Sequence, residues 1–135
     1  MADRPPDEII ALIDTVFTAY NSKNLALISG VYGNEVVIVD GFAPFRWSGP
    51  NALNNWWTDA ERWLQAGGVE HEHLANEGVK AWGLSGDRAY ASISAILTIT
   101  LKKGEQIIRP GTLTYSFAKT GEGWKAEGHT WGRLS

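Results

Sequence analysis

Two residue types in this chain, aspartate and histidine, are placed where they could do acid–base or metal chemistry. In VVIVDGFAPF the carboxylate of Asp40 follows four β-branched residues and precedes an aromatic segment. Flanked by Val39, Phe42 and Phe45, such a carboxylate loses hydration if it faces a dry pocket, its pKa rises, and it becomes a general base. The same Asp-Gly dipeptide equally suits a turn in which the aspartate caps backbone amides. His71 and His73 stand two apart, so on a strand they share a face, with Glu77 beside them if no bulge intervenes. The spacing H-x-H-x-x-x-E also occurs in metal-binding motifs, but no histidine follows Pro110-Gly111 closely enough to complete such a set, so no metal is expected. His73 is read as a proton donor or acceptor in a pocket, the alternative being that one of the two histidines is exposed between Glu70 and Glu72 or hydrogen-bonded in the sheet. His129, in EGHTW, shares its alternation with Glu127 and Trp131, and a pocket and an interface both suit it. No G-x-S-x-G elbow and no Gly-rich phosphate loop is present.

These residues need elements to aim them. Pro5 and Pro6 lead into Asp7 and Glu8, and Ile9, Ile13, Val16, Phe17 and Tyr20 then recur at helical spacing, predicting a helix over about 7–21. NSKN breaks it, and Leu25, Ile28 and Val31 predict a second short helix ending near Gly33. A strand follows at 36–39, with a short return strand at 45–47. Ser48-Gly49-Pro50 reads as the capped start of a third helix, which carries Leu53, Trp56, Trp57, Ala60, Trp63 and Leu64 until Gly67-Gly68. Beyond Gly68 the period becomes two, and 69–82, 88–101, 106–118 and 124–133 predict long hairpin-linked strands in a curved antiparallel meander. Ala91, Ile93, Ala95, Leu97 and Ile99 alternate with small polar residues, as do Leu113, Tyr115 and Phe117. One face is therefore apolar, as a sheet with helices on one side requires.

At 135 residues with 44% hydrophobic content, the chain fits one domain, of α+β class, with residues 1–6 expected to be flexible. The absence of cysteine excludes disulfides, thiol nucleophiles and cysteine-ligated metals, and fits a reducing compartment. No signal peptide or membrane span is visible, so a cytoplasmic location is expected. A net charge of -3 with scattered Lys and Arg offers no footprint for nucleic acid. Seven tryptophans exceed the ordinary needs of such a core and point to an apolar cavity or an interface. Phe17, Tyr20, Phe42, Trp57, Tyr115 and Trp131 are the expected pocket wall, whereas Trp47, Trp63 and Trp82 are assigned to core or dimer contacts.

The order helix, helix, short hairpin, helix, then four long strands resembles the cone-shaped fold of the nuclear transport factor 2-like superfamily. That superfamily includes ketosteroid isomerases, SnoaL-type polyketide cyclases and scytalone dehydratase. The resemblance rests on Ala19 to Gly41, on the W-x-GPxAL entry at Trp47 to Leu53, and on GWKAEGHTW at Gly123 to Trp131. It implies a deep apolar pocket between a curved sheet and three helices, and a homodimer formed through the sheet. Asp40 falls where ketosteroid isomerases keep their general base. Val16 and Leu113 fall where those enzymes keep their oxyanion-hole tyrosine and protonated aspartate. Compared with scytalone dehydratase, Tyr20 is kept, Asn21 replaces an acid, His73 lies at a pocket histidine, and Gly41 stands at a tyrosine position.

The function expected from these residues is cofactor-independent proton transfer on a hydrophobic cyclic or polyketide-like small molecule, of isomerase, cyclase or dehydratase type. Asp40 is the base and His73 or His129 its acid partner. A non-catalytic binder of an apolar small molecule and a dimerisation module with a filled pocket are the alternatives.

Overall fold

The computed structural model describes residues 4–134. Helix α1, Asp7–Asn21, buries Ile9, Ile13, Val16, Phe17 and Ala19, the one-sided stripe its spacing demands. Of the segment expected to be flexible, residues 1–3 lie outside the described residues. Pro5 is buried, and the Pro6 carbonyl accepts the first helical amides, from Ile9 and Ile10. Helix α2 is shorter than its apolar stripe suggested, Leu25–Ser29, and Asn24 caps it by accepting from the Leu27 amide. Val31 then belongs to the lead-in of strand β1, Tyr32–Val39.

Strand β1 turns back into β2, Arg46–Gly49. Ser48 and Gly49, expected to cap the third helix, instead pair with Val37 and Val36. Helix α3 starts two residues beyond Pro50, at Ala52, and runs to Ala66. The ladder won because it carries the pairing with β1 through to Gly49, which a helix starting at Ser48 would forfeit. Strands β3 (Val69–Ser85), β4 (Arg88–Leu101), β5 (Gln106–Thr120) and β6 (Gly123–Arg133) follow as hairpins. They form a six-stranded sheet in the order β2-β1-β6-β5-β4-β3. All pairs are antiparallel except β1 with β6, which is parallel. The meander expectation thus holds for β3 to β6, and the first strand is inserted beside the last.

Two of the sheet's register irregularities lie in its long strands where it bends around the helices. One lies in β3 between Asn76 and Val79, where Gly78 has φ +102°. The other lies between Ser116 and Phe117 opposite β6. Bulges of this kind increase local twist and curvature. On the helix-facing side Val36, Ile38, Ala91, Ile93, Leu113 and Phe117 pack against Ile9, Ile13, Val16 and Phe17. Burying each large apolar side chain contributes roughly 1.5–3 kcal/mol.

The parallel contact imposes one strict sequence demand. A Cβ on Gly128 would lie 2.1 Å from the Val37 carbonyl oxygen, so no side chain fits without parting β1 from β6. Gly128→Ala is expected to cost about 2 kcal/mol or more, read as a lowered midpoint in urea unfolding. An unchanged midpoint would show that the two strands are not held this closely.

Candidate functional site

A cavity of about 560 Å³ opens between the curved sheet and the helices. Asp40 stands on its wall at the exit of β1. One carboxylate oxygen accepts the Gly41 amide at 2.7 Å, and the other accepts Trp56 Nε1 at 2.9 Å. Burial raises the Asp40 pKa; the Trp56 and Gly41 hydrogen bonds oppose that rise, and the nearby negative charge of Glu72 adds to it. The side chain is therefore both a fixed acceptor and a stronger base than an exposed aspartate. Trp56 was legible only as part of the apolar stripe of α3; its N–H aims at Asp40 because Trp56 and Asp40 meet across the α3–β1 contact.

A second carboxylate shares the cavity and was missed by sequence reasoning. Glu72 is buried, accepts from the Tyr20 hydroxyl at 2.7 Å, and pairs with Lys23, whose ammonium also lies 4.3 Å from the Tyr20 ring centre. The register explains the placement: Glu72 and Leu74 pair with Ile99 and Leu97 on the inner face, which puts His73 opposite Thr98 on the outer face. His71 and His73 are consequently exposed. His73 is thus not brought to the cavity, contrary to the sequence reading. Leu74 was the available signal, since an apolar residue two positions on from Glu72 marks the inward parity of HEHL.

His129 is fully enclosed at the other side of Trp56, the two ring centres lying 4.9 Å apart edge to face. Its Nδ1 lies 2.7 Å from the Tyr32 hydroxyl, which lies 2.7 Å from the Tyr115 hydroxyl. Burial lowers the His129 pKa to about 3, so the ring is neutral. Burial and the neighbouring Tyr115 raise the Tyr32 pKa well above its ordinary value, and burial raises that of Tyr115. Three neutral groups then carry one N–H and two O–H protons but form two mutual hydrogen bonds, leaving one spare donor. Depending on the direction of the chain, it is His129 Nε2–H or the Tyr115 hydroxyl. Both residues line the cavity.

Of the aromatic wall expected from sequence, Tyr20, Phe42, Tyr115 and Trp131 line the cavity. Phe17 and Trp57 are buried in the core instead. Phe17 lies on the sheet-packing stripe of α1, and Trp57 packs edge-on against Tyr20 and Trp56. Trp63, assigned to core or dimer contacts, is a wall residue that stacks on Phe42 at 5.5 Å. Trp47 packs in the core and donates to Asp59 at 2.9 Å. Among the described residues no three His, Asp or Glu side chains cluster as a metal site.

The SnoaL-like domain model matches residues 9–130. A comparison with curated proteins gave no match. Among solved structures, an NTF2-like protein with a cystatin-like fold from Novosphingobium aromaticivorans is 20% identical with TM-score 0.75, covering 96% of this chain and 81% of that one. A ketosteroid isomerase-like protein from Erwinia carotovora atroseptica is 18% identical with TM-score 0.76, covering 94% of each chain. A hexachlorocyclohexane dehydrochlorinase from Novosphingobium barchaimii is 8% identical with TM-score 0.78, covering 94% of this chain and 84% of that one. At such identities the likeness is one of fold, on which several activities are built. The family match begins within α1, takes in α2 and α3 and reaches Asp40, Glu72 and His129, and the chain belongs to the SnoaL-like domain family.

Proposed function

We propose that this protein is a small cofactor-independent enzyme that moves a proton on an apolar, cyclic or polyketide-like molecule, in an isomerase, cyclase or dehydratase type of reaction. One observation carries the reading. A carboxylate made more basic by burial and a neutral tyrosine–histidine chain with one spare donor face the same cavity, with the indole of Trp56 touching both. Asp40 takes the proton, and the spare donor stabilises the negative charge that develops on the substrate oxygen. His129, neutral, serves as a hydrogen-bond donor and proton relay, the role that the sequence reading left open between His73 and His129.

The non-catalytic alternative is favoured by the two N–H groups already fixed on Asp40, which make it a ready anchor for a ligand hydroxyl. The cavity beside Asp40 weighs against a filled-pocket assembly module. A panel of cyclic enones and β-hydroxy ketones separates the first two: binding is read by tryptophan fluorescence, and product by mass spectrometry. The enzyme reading expects product from at least one compound that binds, whereas binding throughout without conversion supports the binder.

The resemblance also implies a homodimer through the sheet. Val37 and Val39 on the outer face of β1 are 42% and 39% exposed, and they lie along a shallow groove with Tyr90 and Thr114, an apolar strip suited to a second copy. The double substitution Val37→Glu, Val39→Glu is expected to halve the mass seen by light scattering. A native mass equal to one chain would remove the dimer.

A further inference from the structure

Two arginines enter the cavity where the mechanism uses no cation. Arg109 on β5 and Arg133 on β6 both line it, and among the described residues neither forms an ion pair. Arg109 makes only a long, 3.5 Å hydrogen bond, to the Ile108 carbonyl. Their positions follow from the ladder. Tyr115 pairs with His129, Leu113 with Trp131, and Gly111 with Arg133. Arg109 is one inward position beyond Gly111, so the two guanidinium stems are diagonal neighbours, within reach of one small group. The Trp131 ring lies over Gly111, where a Cβ would come within 2.4 Å of it, and forms an apolar floor beside them.

The cavity thus carries both signs of charge. Asp40 and Glu72 line it, with Lys23 paired to Glu72. Neither arginine is among the groups that shift the Asp40 pKa. From Arg133 to His129 is four residues of strand, roughly 13 Å, about the length of a fused two-ring molecule with one substituent. A cationic fork spaced this way from His129 orients an elongated ligand that carries one negative charge.

We infer that the ligand is an apolar ring system bearing a carboxylate, held by Arg109 and Arg133 so that its far end meets Asp40 and His129. The inference rests on the cavity being the small-molecule site proposed above, and it names the class of molecule that enters. Guanidinium groups bind carboxylates through paired N–H···O contacts, and Trp131 and Leu113 cover the ring between the two ends.

The test uses 2-naphthoate and its neutral counterpart 2-naphthalenemethanol, titrated calorimetrically against the full chain. The naphthoate is expected to bind about tenfold or more tighter. Arg109→Gln with Arg133→Gln is expected to abolish that preference while the alcohol binds as before, which also reports that the cavity has formed. Arg133→Gln alone, at an exposed position, should remove part of it. Failure of naphthoate to bind, equal binding of the two probes, or a preference that survives the double substitution would overturn the inference. The readout is independent of proton transfer: an anion preference without turnover of any compound that binds leaves this inference standing and defeats the enzyme reading, and turnover of neutral ketones without anion preference does the reverse.

Discussion

Replacing Asp40 by asparagine is expected to lower kcat by a factor of about 10²–10⁴, the usual contribution of a positioned general base, while the protein stays folded. The substitution keeps the size of the side chain and an acceptor for Trp56 Nε1, but it removes the basic oxygen. An amide nitrogen then faces the Gly41 N–H, so one hydrogen bond is lost at a cost of about 1 kcal/mol. Circular dichroism and thermal unfolding report whether the fold survives. The wild-type rate should rise with pH through the raised Asp40 pKa, since only the carboxylate accepts a proton, and level off above it. Stability moves the other way. A carboxyl whose folded pKa is raised loses folding free energy as pH rises from its ordinary value through the raised one, and Asp40→Asn lacks that slope. A kcat that does not change on Asp40→Asn removes the mechanism.

Acid should unfold this protein through His129. Its folded pKa of about 3 lies below the ordinary 6.5, so the unfolded chain takes up a proton that the folded chain refuses. Stability is fully present above pH 6.5 and is lost as pH falls toward 3. The loss reaches roughly 3 kcal/mol by pH 4. The groups facing the ring are Tyr32, Tyr115 and Trp56, all uncharged there, and none of them offers a compensating carboxylate. His129→Gln retains an acceptor for Tyr32 and cannot protonate. Its urea-unfolding free energy should therefore fall less between pH 7.5 and pH 4 than that of the wild type. Equal losses in the two proteins would mean that other groups carry the acid sensitivity.

The elements were legible wherever local pattern and tertiary demand agreed. The α1 stripe from Ile9 to Phe17, the β4 alternation from Ala91 to Ile99 and the hairpin signals between long strands all describe what formed. The α3 start failed because Ser48-Gly49-Pro50 satisfies two local rules at once, and only pairing with β1, a long-range event, decides between cap and strand. The site was harder to read because it depends on parity across a sheet. His73 and Glu72 are adjacent, and one residue of register decides which enters the cavity. Asp40 and His129 were both expected as site residues, yet Tyr32, which joins His129 to Tyr115, carried no local signal, because its partners lie 97 and 83 residues away. The placement of Arg109 and Arg133 in the cavity has the same origin in the pairing of distant strands.

Solvent deuterium incorporation tests the role of Asp40 most directly. A cyclic enone that binds the cavity is incubated in deuterium oxide with wild-type protein or with Asp40→Asn, and exchange at the carbon next to the carbonyl is followed by NMR. The proton-transfer account predicts exchange that depends on wild-type protein and falls to the uncatalysed rate with Asp40→Asn. Exchange at equal rates with the two proteins, or none with any compound that binds, would contradict it.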